Sequence, residues 1–466
     1  MDRRVVVGVV AMATLVPVAA CTAGQPRSRP AVTEPPSAGS PPAGSPRAEP
    51  SRQPLVLVTH ATRPAVRMSL ADARGVLRGH AAGWRLVAAP GVPATGVRRA
   101  DSARAAVRSV ERHRGMLGVV PASVVGPSVR AVVVGGVDPI QAPRRYPLSV
   151  PGPAAPPHPT TLGVVGDVML TRGVRDPARA LAPLSPLLRG YDVTVGNLES
   201  TLSRDGVPQQ GGDSFAAAPS VVPLLARAGL DAVSLANNHT GDYQEAALLD
   251  TVRRLRASTV QPFGAGRNRA AAGRAVVVRR GGLSFGFLGF NAIGETPRAT
   301  SGGAGALSLR MPPRTGPLSR ADLAHVLGLV RRLATRVDVV VVIPHWGTQY
   351  THRPEPVQRR VARRLVRAGA DLVVGGHPHW VQGLDRVGPA VVAHSLGNFV
   401  FDMDFMTETQ QGVVLAATFW RASLKAVDLV PYRMDARFAP RRARGSEGAA
   451  ILADLWRTST GPFRAP

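Results

Sequence analysis

Cysteine is nearly absent from this chain. Among 466 residues there is one, Cys21, so no intramolecular disulfide can form and no thiolate cluster can hold a structural zinc. Lysine is as scarce: Lys425 stands alone, and the formal net charge of +27 is carried by arginine. Arginine spread evenly over a chain reads as composition bias, not as a surface built for phosphates. The densest run, "RRVARRLVRAG" at 359–369, accompanies Val357, Val361 and Leu365 at helical spacing. Its arginines therefore read as the wet side of an amphipathic helix. No nucleic-acid module accompanies the charge, so nucleic acid is not an expected partner. Also missing are a G-x-S-x-G elbow, an H-E-x-x-H helix and a Walker-type loop. "GAGRNRAAA" at 264–272 offers only G-x-G before a helix and reads as a loop with a helix start.

The N-terminus has a clear pattern. "MDRRVVVGVVAMATLVPVAAC" places Arg3 and Arg4 before an apolar stretch from Val5 to Val18, with small residues up to Cys21. That is an export signal, shorter than the ~20 residues a spanning helix needs. "VAAC" resembles the lipobox of bacterial lipoproteins. The resemblance implies cleavage after residue 20, lipidation of Cys21 and anchoring to the outer face of the cell membrane; more than one acyl chain suits stable anchoring. Residues 1–21 are thus expected to be a lipoprotein signal. Residues 22–53, rich in Pro, Ser, Ala and Gly, are expected to be a disordered tether. At ~3.1 Å per residue the tether would reach roughly 100 Å.

Residues 54–150 read as a small α/β module, with strands at "LVLVTH", "MLGVVP" and "RAVVVGGVDP" and a helix at "SLADARGVLRG". Through "GMLGVVPASVV", "VGGVDP" and "YPLSVPG" it resembles part of one lobe of the phosphate-type periplasmic substrate-binding proteins. Closing on a ligand takes two lobes, so the resemblance implies an accessory module. "PGPAAPPHP" places a linker at 151–160. From 161 to 440 short apolar runs alternate with amphipathic stretches, and helices are expected near 219–228, 243–256, 319–334 and 354–368. This alternation predicts an α/β domain whose sheets are covered by helices. Residues 441–466 read as a poorly ordered tail.

Polar residues recur where the apolar runs stop. They are Asp167 in "VVGDVML", Asn197 and Glu199 in "GNLES", Asn238 and His239 in "LANNHTGDY", and His345 in "IPHWGTQY". His377 and His379 follow in "GGHPHW", then His394 and Asn398 in "HSLGNF". In an extended segment residues i and i+2 point to one side, so both imidazoles of H-P-H can aim at one place. Strand ends of one sheet edge lie close together, and such groups can meet in a single cleft. Asp, Glu, Asn and His without thiolates suit Mn, Fe, Zn or Mg.

As an ordered set, "GDVML", "NLES", "LANNHTGDY", "GAGRN", "PHWGTQY", "GGHPHWVQG" and "HSLGNFVFD" resemble the CapA proteins of poly-γ-glutamate capsule synthesis. CapA domains are similar to the calcineurin-like metallophosphatases, which implies a four-layer α/β/β/α sandwich with one or two divalent metals at the strand ends. The resemblance implies metal ligation by Asp167, Glu199, Asn238, His345, His377 and His379. It implies a catalytic role facing the substrate for His239; Asn197, His394 and Asn398 would line the cleft. Metallophosphatases usually begin D-x-H, and Met169 stands at the third position here. Three readings remain open: a hydrolase of phosphate esters or polymer amides, a non-catalytic envelope scaffold held by a metal, and a binding module. The expected partners are an acidic envelope polymer or a phosphate-containing substrate, the membrane, and other capsule-synthesis membrane proteins.

Overall fold

The computed structural model describes residues 51–465. Cys21, the signal and all but the end of the expected tether lie outside the described residues. In chain order, β1 (Thr160–Val168), β2 (Val193–Leu198), β3 (Ala232–Ser234) and β4 (Gln261–Phe263) start a first sheet. A second sheet takes β5 (Val276–Arg280), β6 (Leu283–Asn291), β7 (Val339–His345), β8 (Leu372–Val374), β9 (Val381–Val387) and β10 (Ala390–Leu396). The chain returns to the first sheet with β11 (Asn398–Val400), β12 (Gln411–Trp420), β13 (Ser423–Met434) and β14 (Pro440–Arg442). The first sheet runs β4-β3-β2-β1-β12-β13-β14, with β11 also on β1; the second runs β5-β6-β7-β8-β10-β9.

Period-two alternation sets the layers. Val339, Val341 and Ile343 of β7 face Leu162 and Val164 of β1 across the space between the sheets. Val340 and Val342 turn the other way. There they meet Leu323, Val326 and Val330 of α3 (Arg320–Ala334), and Val357, Val361 and Leu365 of α4 (Pro356–Arg367). On the far side of the first sheet, Val165 and Val233 meet Leu225 of α1 (Val222–Ala228) and Leu248, Val252 and Leu255 of α2 (Gln244–Arg256). The result is the expected helix/sheet/sheet/helix order; two predicted helices start, and a third stops, where their caps demand. Ser319 accepts the Asp322 N–H at the head of α3. Glu355 and Gln358 form a capping box ahead of α4, with Pro356 in its first turn. α1 stops at Gly229, whose φ of 104° is open to glycine.

Residues after Pro440 are ordered, contrary to the expectation of a loose tail. β14 pairs with β13, and α5 (Gly445–Thr458) follows. Its Ile451, Leu455 and Trp456, with Phe463 beyond, fill the end of the inter-sheet core. Burial of this short apolar stripe supplies the order that its polar, arginine-rich start does not announce. The tether also ends earlier than expected, because Arg52 and Gln53 already pair with Pro151 and Val150.

Residues 52–151 fold around their own core. Strand Arg52–His60 lies between Met116–Pro121 and Val129–Ala131, and helices Leu70–Leu77 and Ala103–Arg112 belong to the same unit. This module seats on the β12–β13 hairpin. Trp420 packs into its core and donates Nε1–H to the Ile140 carbonyl at 2.8 Å. Lys425 is buried there, its Nζ donating to the carbonyls of Ala122, Ser123 and Val125 at 3.1, 3.2 and 3.2 Å. Three oriented carbonyls replace the water that the ammonium gives up.

Candidate metal centre

The carboxyl ends of parallel strands from both sheets converge, and register decides which side chains meet. Asn197 of β2 and Asn398 of β11 flank Asp167 of β1 as direct neighbours. Asn291 of β6 pairs with His345 of β7, and His345 bridges to Gly376. Asp167, Glu199 and His345, all buried, offer ligand atoms within 4.8 Å of one another. His345 Nε2 lies 2.8 Å from Asn238 Oδ1 and 3.7 Å from Glu199 Oε1. The His377 ring is centred 5.0 Å from that of His345 and 5.8 Å from that of His379. His379 Nδ1 lies 3.8 Å from Asp167 Oδ2.

The "GGHPHW" turn is held in an unusual shape. His377 and His379 adopt φ of 95° and 59°, a region that L side chains rarely visit. The His377 N–H donates to Asp167 Oδ2 at 3.0 Å, and Asn398 Oδ1 holds His379 Nδ1 at 2.8 Å. A Cβ on Gly376 would collide with Asp167 Oδ1, so only glycine lets the turn approach. Two of the eight non-glycine residues with positive φ among the described residues stand in this one turn, and such local strain is typical of a functional site.

Several polar atoms of the cluster lack partners. Glu199 Oε1 and both ring nitrogens of His377 are buried without a hydrogen bond. Burial pushes the Asp167 carboxyl up to about 6, against hydrogen bonds from the His377 N–H and Asn197. Burial, then Asp167, pushes Glu199 well above the carboxylate range. Burial drives His345 and His377 well down, and His379 down to about 4. Carboxylates that resist ionising beside neutral imidazoles with free lone pairs form a donor set for a cation. The buried Asp/Glu/His group fits a divalent metal.

The supporting residues include one that sequence reasoning missed. Asn238 Nδ2 donates to Glu295 Oε2 at 2.7 Å, and Arg314 holds Glu295 Oε1 at 2.7 Å. This fixes the amide so that Oδ1, a ligand-capable atom, faces His345. Asn197 does not line an open cleft. It is buried, and its Nδ2 donates to Asp167 and Glu199 at 2.9 and 3.1 Å. Asn398 is likewise buried and braces His379. His394 departs from expectation: its Nε2 lies 2.9 Å from Asp385 Oδ2 and its ring stacks on Trp346. It is on the helix side of β10 and takes no part in the cluster. Met169 is buried among apolar residues, where its sulfur accepts the Thr171 N–H.

His239 sits beside the cluster. Its Nδ1 meets Asp242 Oδ2 at 2.8 Å, and Phe215 stacks on one face with centroids 3.9 Å apart. The opposite nitrogen, Nε2, lies 3.9 Å from Glu199 Oε1. Asp242 therefore orients the ring so that Nε2 faces Glu199.

Comparison with known proteins bears on this geometry. The family model described as "Bacterial capsule synthesis protein PGA_cap" matches residues 161–403. The chain is similar to the capsule biosynthesis protein CapA of Bacillus anthracis, 30% identical over 58% of this chain and 66% of that protein. It therefore spans just under two thirds of that relative's length. It is also similar to the PGA biosynthesis protein CapA of Bacillus subtilis (strain 168), 25% identical over 63% of this chain and 77% of that one. Among solved structures, a putative 5'-nucleotidase from Staphylococcus aureus in complex with alpha-ketoglutarate aligns with a TM-score of 0.39 and 16% identity, over 64% of this chain and 58% of that chain.

Proposed function

Since the chain belongs to the bacterial capsule synthesis protein PGA_cap family, we propose that it acts on an acidic envelope polymer of the poly-γ-glutamate kind through a metal-dependent hydrolase site. The observation that carries this reading is the buried, unpartnered set of Glu199 Oε1 and the two His377 nitrogens beside a His239 whose Nε2 faces Glu199. Asp167, Glu199, Asn238, His345, His377 and His379 would hold one or two divalent cations, Mn, Fe, Zn or Mg. Such a cation supplies a Lewis acid and a water acidic enough to ionise near neutral pH.

The chain's own groups supply the rest. Asp242 accepts the Nδ1–H of His239, which fixes the tautomer and directs Nε2 toward Glu199. In that tautomer Nε2 carries the lone pair of the neutral ring, and only after taking up a proton there can His239 pass it to a departing oxygen or nitrogen, the role of a general acid. Phe215 closes one ring face against water. Asn238, held by Glu295, keeps its oxygen turned inward. The bond broken would be a phosphoester or an amide of the polymer.

Export and lipidation at Cys21 would place this site outside the cell membrane at the end of the tether, where partners are the polymer and other membrane proteins of its synthesis. Cys21→Ser should leave the precursor uncleaved or release the protein from membranes; normal processing and retention would overturn the anchor. A second reading, a metal-held scaffold without catalysis, draws support from Met169: it lies in the apolar core, so the first motif offers one imidazole fewer. The deciding experiment supplies purified protein with manganese, iron or zinc and measures phosphodiester and poly-γ-glutamate cleavage. The hydrolase reading expects turnover by wild type and none by His239→Ala with metal content unchanged. No turnover of either substrate by wild type overturns it in favour of the scaffold.

A further inference from the structure

Beside the cluster lies a concavity that the hydrolase chemistry does not use. An open pocket of ≈ 760 Å³ is walled by the loop after β7, by Trp380 and by the C-terminal segment around α5. It shares Tyr350 with the metal centre: that ring lies nearly parallel to His379, centroids 6.1 Å apart. The loop is fixed, not hanging. Gln382 Nε2 donates to the Thr351 carbonyl at 3.0 Å, and His352 Nδ1 meets the Val381 carbonyl at 2.7 Å.

The lining is strongly cationic. Arg353, Arg359, Arg457 and Arg464 face a single acidic lining residue, Asp454. Arg359 is committed to Asp385 and to the Thr458 carbonyl, and Arg457 to Asp454. Among the described residues, Arg353 and Arg464 have no carboxylate within salt-bridge reach, and both are exposed. The Trp380 Nε1–H, a group that can only donate, is buried without an acceptor. The His352 ring lies 4.9 Å from the Trp380 ring and extends the aromatic wall.

Two unpaired guanidinium forks on separate segments, an indole donor and an aromatic wall suit a ligand with repeated anionic groups. The volume exceeds what one phosphate or one carboxylate would fill. We propose that this pocket is a binding subsite for an anionic chain, gripping the groups that neighbour the unit presented to the metal centre. The inference rests on the proposed hydrolase reading for the role of the neighbouring site. Binding by the pocket itself does not require that reading. Carboxylate and phosphate chains share the chemistry, and the probes separate them.

The test titrates the full chain with a fluorescent poly-γ-glutamate oligomer and, in parallel, with inorganic polyphosphate of similar charge. Arg353→Ala with Arg464→Ala should weaken the preferred probe by about tenfold or more, with metal content and the circular dichroism spectrum unchanged. Both residues are exposed and unpaired, so their loss should not unfold the chain. Lysine at both positions should restore part of the affinity, and Trp380→Phe should cost a smaller factor. The probe that binds wild type more tightly identifies the source of the anion. Wild-type affinity in the double alanine variant overturns the subsite. His345→Ala with His377→Ala should still bind the oligomer. Failure of the metal reading would therefore show up separately, as wild-type protein that holds no metal yet binds the oligomer through its arginines.

Discussion

Asp167 and Asp385 are both buried carboxylates with imidazoles close by, yet their surroundings treat them oppositely. Asp385 receives His394 Nε2 at 2.9 Å, the Thr460 hydroxyl at 2.6 Å and the Arg359 guanidinium. Burial alone would raise its pKa, but these partners hold it down to about 2. Asp167 has only an amide and a backbone N–H, and burial pushes it up to about 6. In the Asp385 group one ring nitrogen, His394 Nδ1, lacks a partner; around Asp167, Glu199 Oε1 and both His377 nitrogens do. The first group is a closed ionic tie between β9, β10, α4 and the C-terminal segment. The second is assembled with its charges uncompensated, as expected of a site that waits for a cation.

The sharpest way to break this contrast is metal analysis. His345→Ala with His377→Ala should lose bound metal to below detection by elemental analysis, because two donors of the set are gone. His394→Ala, equally buried, should keep wild-type content. Equal loss in both would erase the distinction between the two clusters.

Stability should respond in the opposite place. Asp385→Ala strands Arg359 and His394 and should destabilise the protein by ~3–5 kcal/mol, the range for breaking a buried pair. Chemical denaturation checks this. The Asp385 contribution is fully present above the ordinary carboxylate pKa and is lost as pH falls through about 2.

Removing charge at Asp167 should do the reverse. With its folded pKa near 6, Asp167 holds its proton more tightly folded than unfolded. Without metal, the protein carries a penalty that is absent below the ordinary carboxylate pKa and complete above about pH 6. Asp167→Asn should therefore stabilise the metal-stripped protein by ~1–2 kcal/mol above neutrality and have little effect in acid. That is less than the whole shift, since the new amide N–H faces the Asn197 donor. Loss of stability at neutral pH would show that the carboxylate is compensated after all. The smallest effect belongs to Glu295→Gln, which should lower metal affinity by about tenfold while leaving the fold intact. Isothermal titration with manganese or zinc measures it, and an unchanged affinity would make Glu295 a bystander.

Much of this was legible in the sequence, for a definite reason. Alternating apolar strands that stop at polar residues placed Asp167, Asn197, Glu199, Asn238, His345, His377 and His379 at one sheet edge. Parallel register then brought them together. His394 was misread because it stands inside β10, not at its end. Two residues on from the outward-facing Val392, it shares that face and meets Trp346. Glu295 gave no signal, since it is a loop residue with φ of 62° whose partners come from distant segments. Strand β13, with Lys425, Asp428 and Arg433 among its residues, lacks a clean alternation because one end is covered by the N-terminal module and the other is open to water. α5 was missed for a related reason: the stripe it buries is only a few residues long.

The lysine on that strand has a practical consequence. A chain whose one side-chain amine is locked beneath three carbonyls carries a built-in reporter. Amine-directed labels and lysine-specific proteases should leave the native seam untouched and act at Lys425 only as fast as the module lifts from its hairpin. The rate of that one modification would time the opening of the joint, with no probe engineered into the protein.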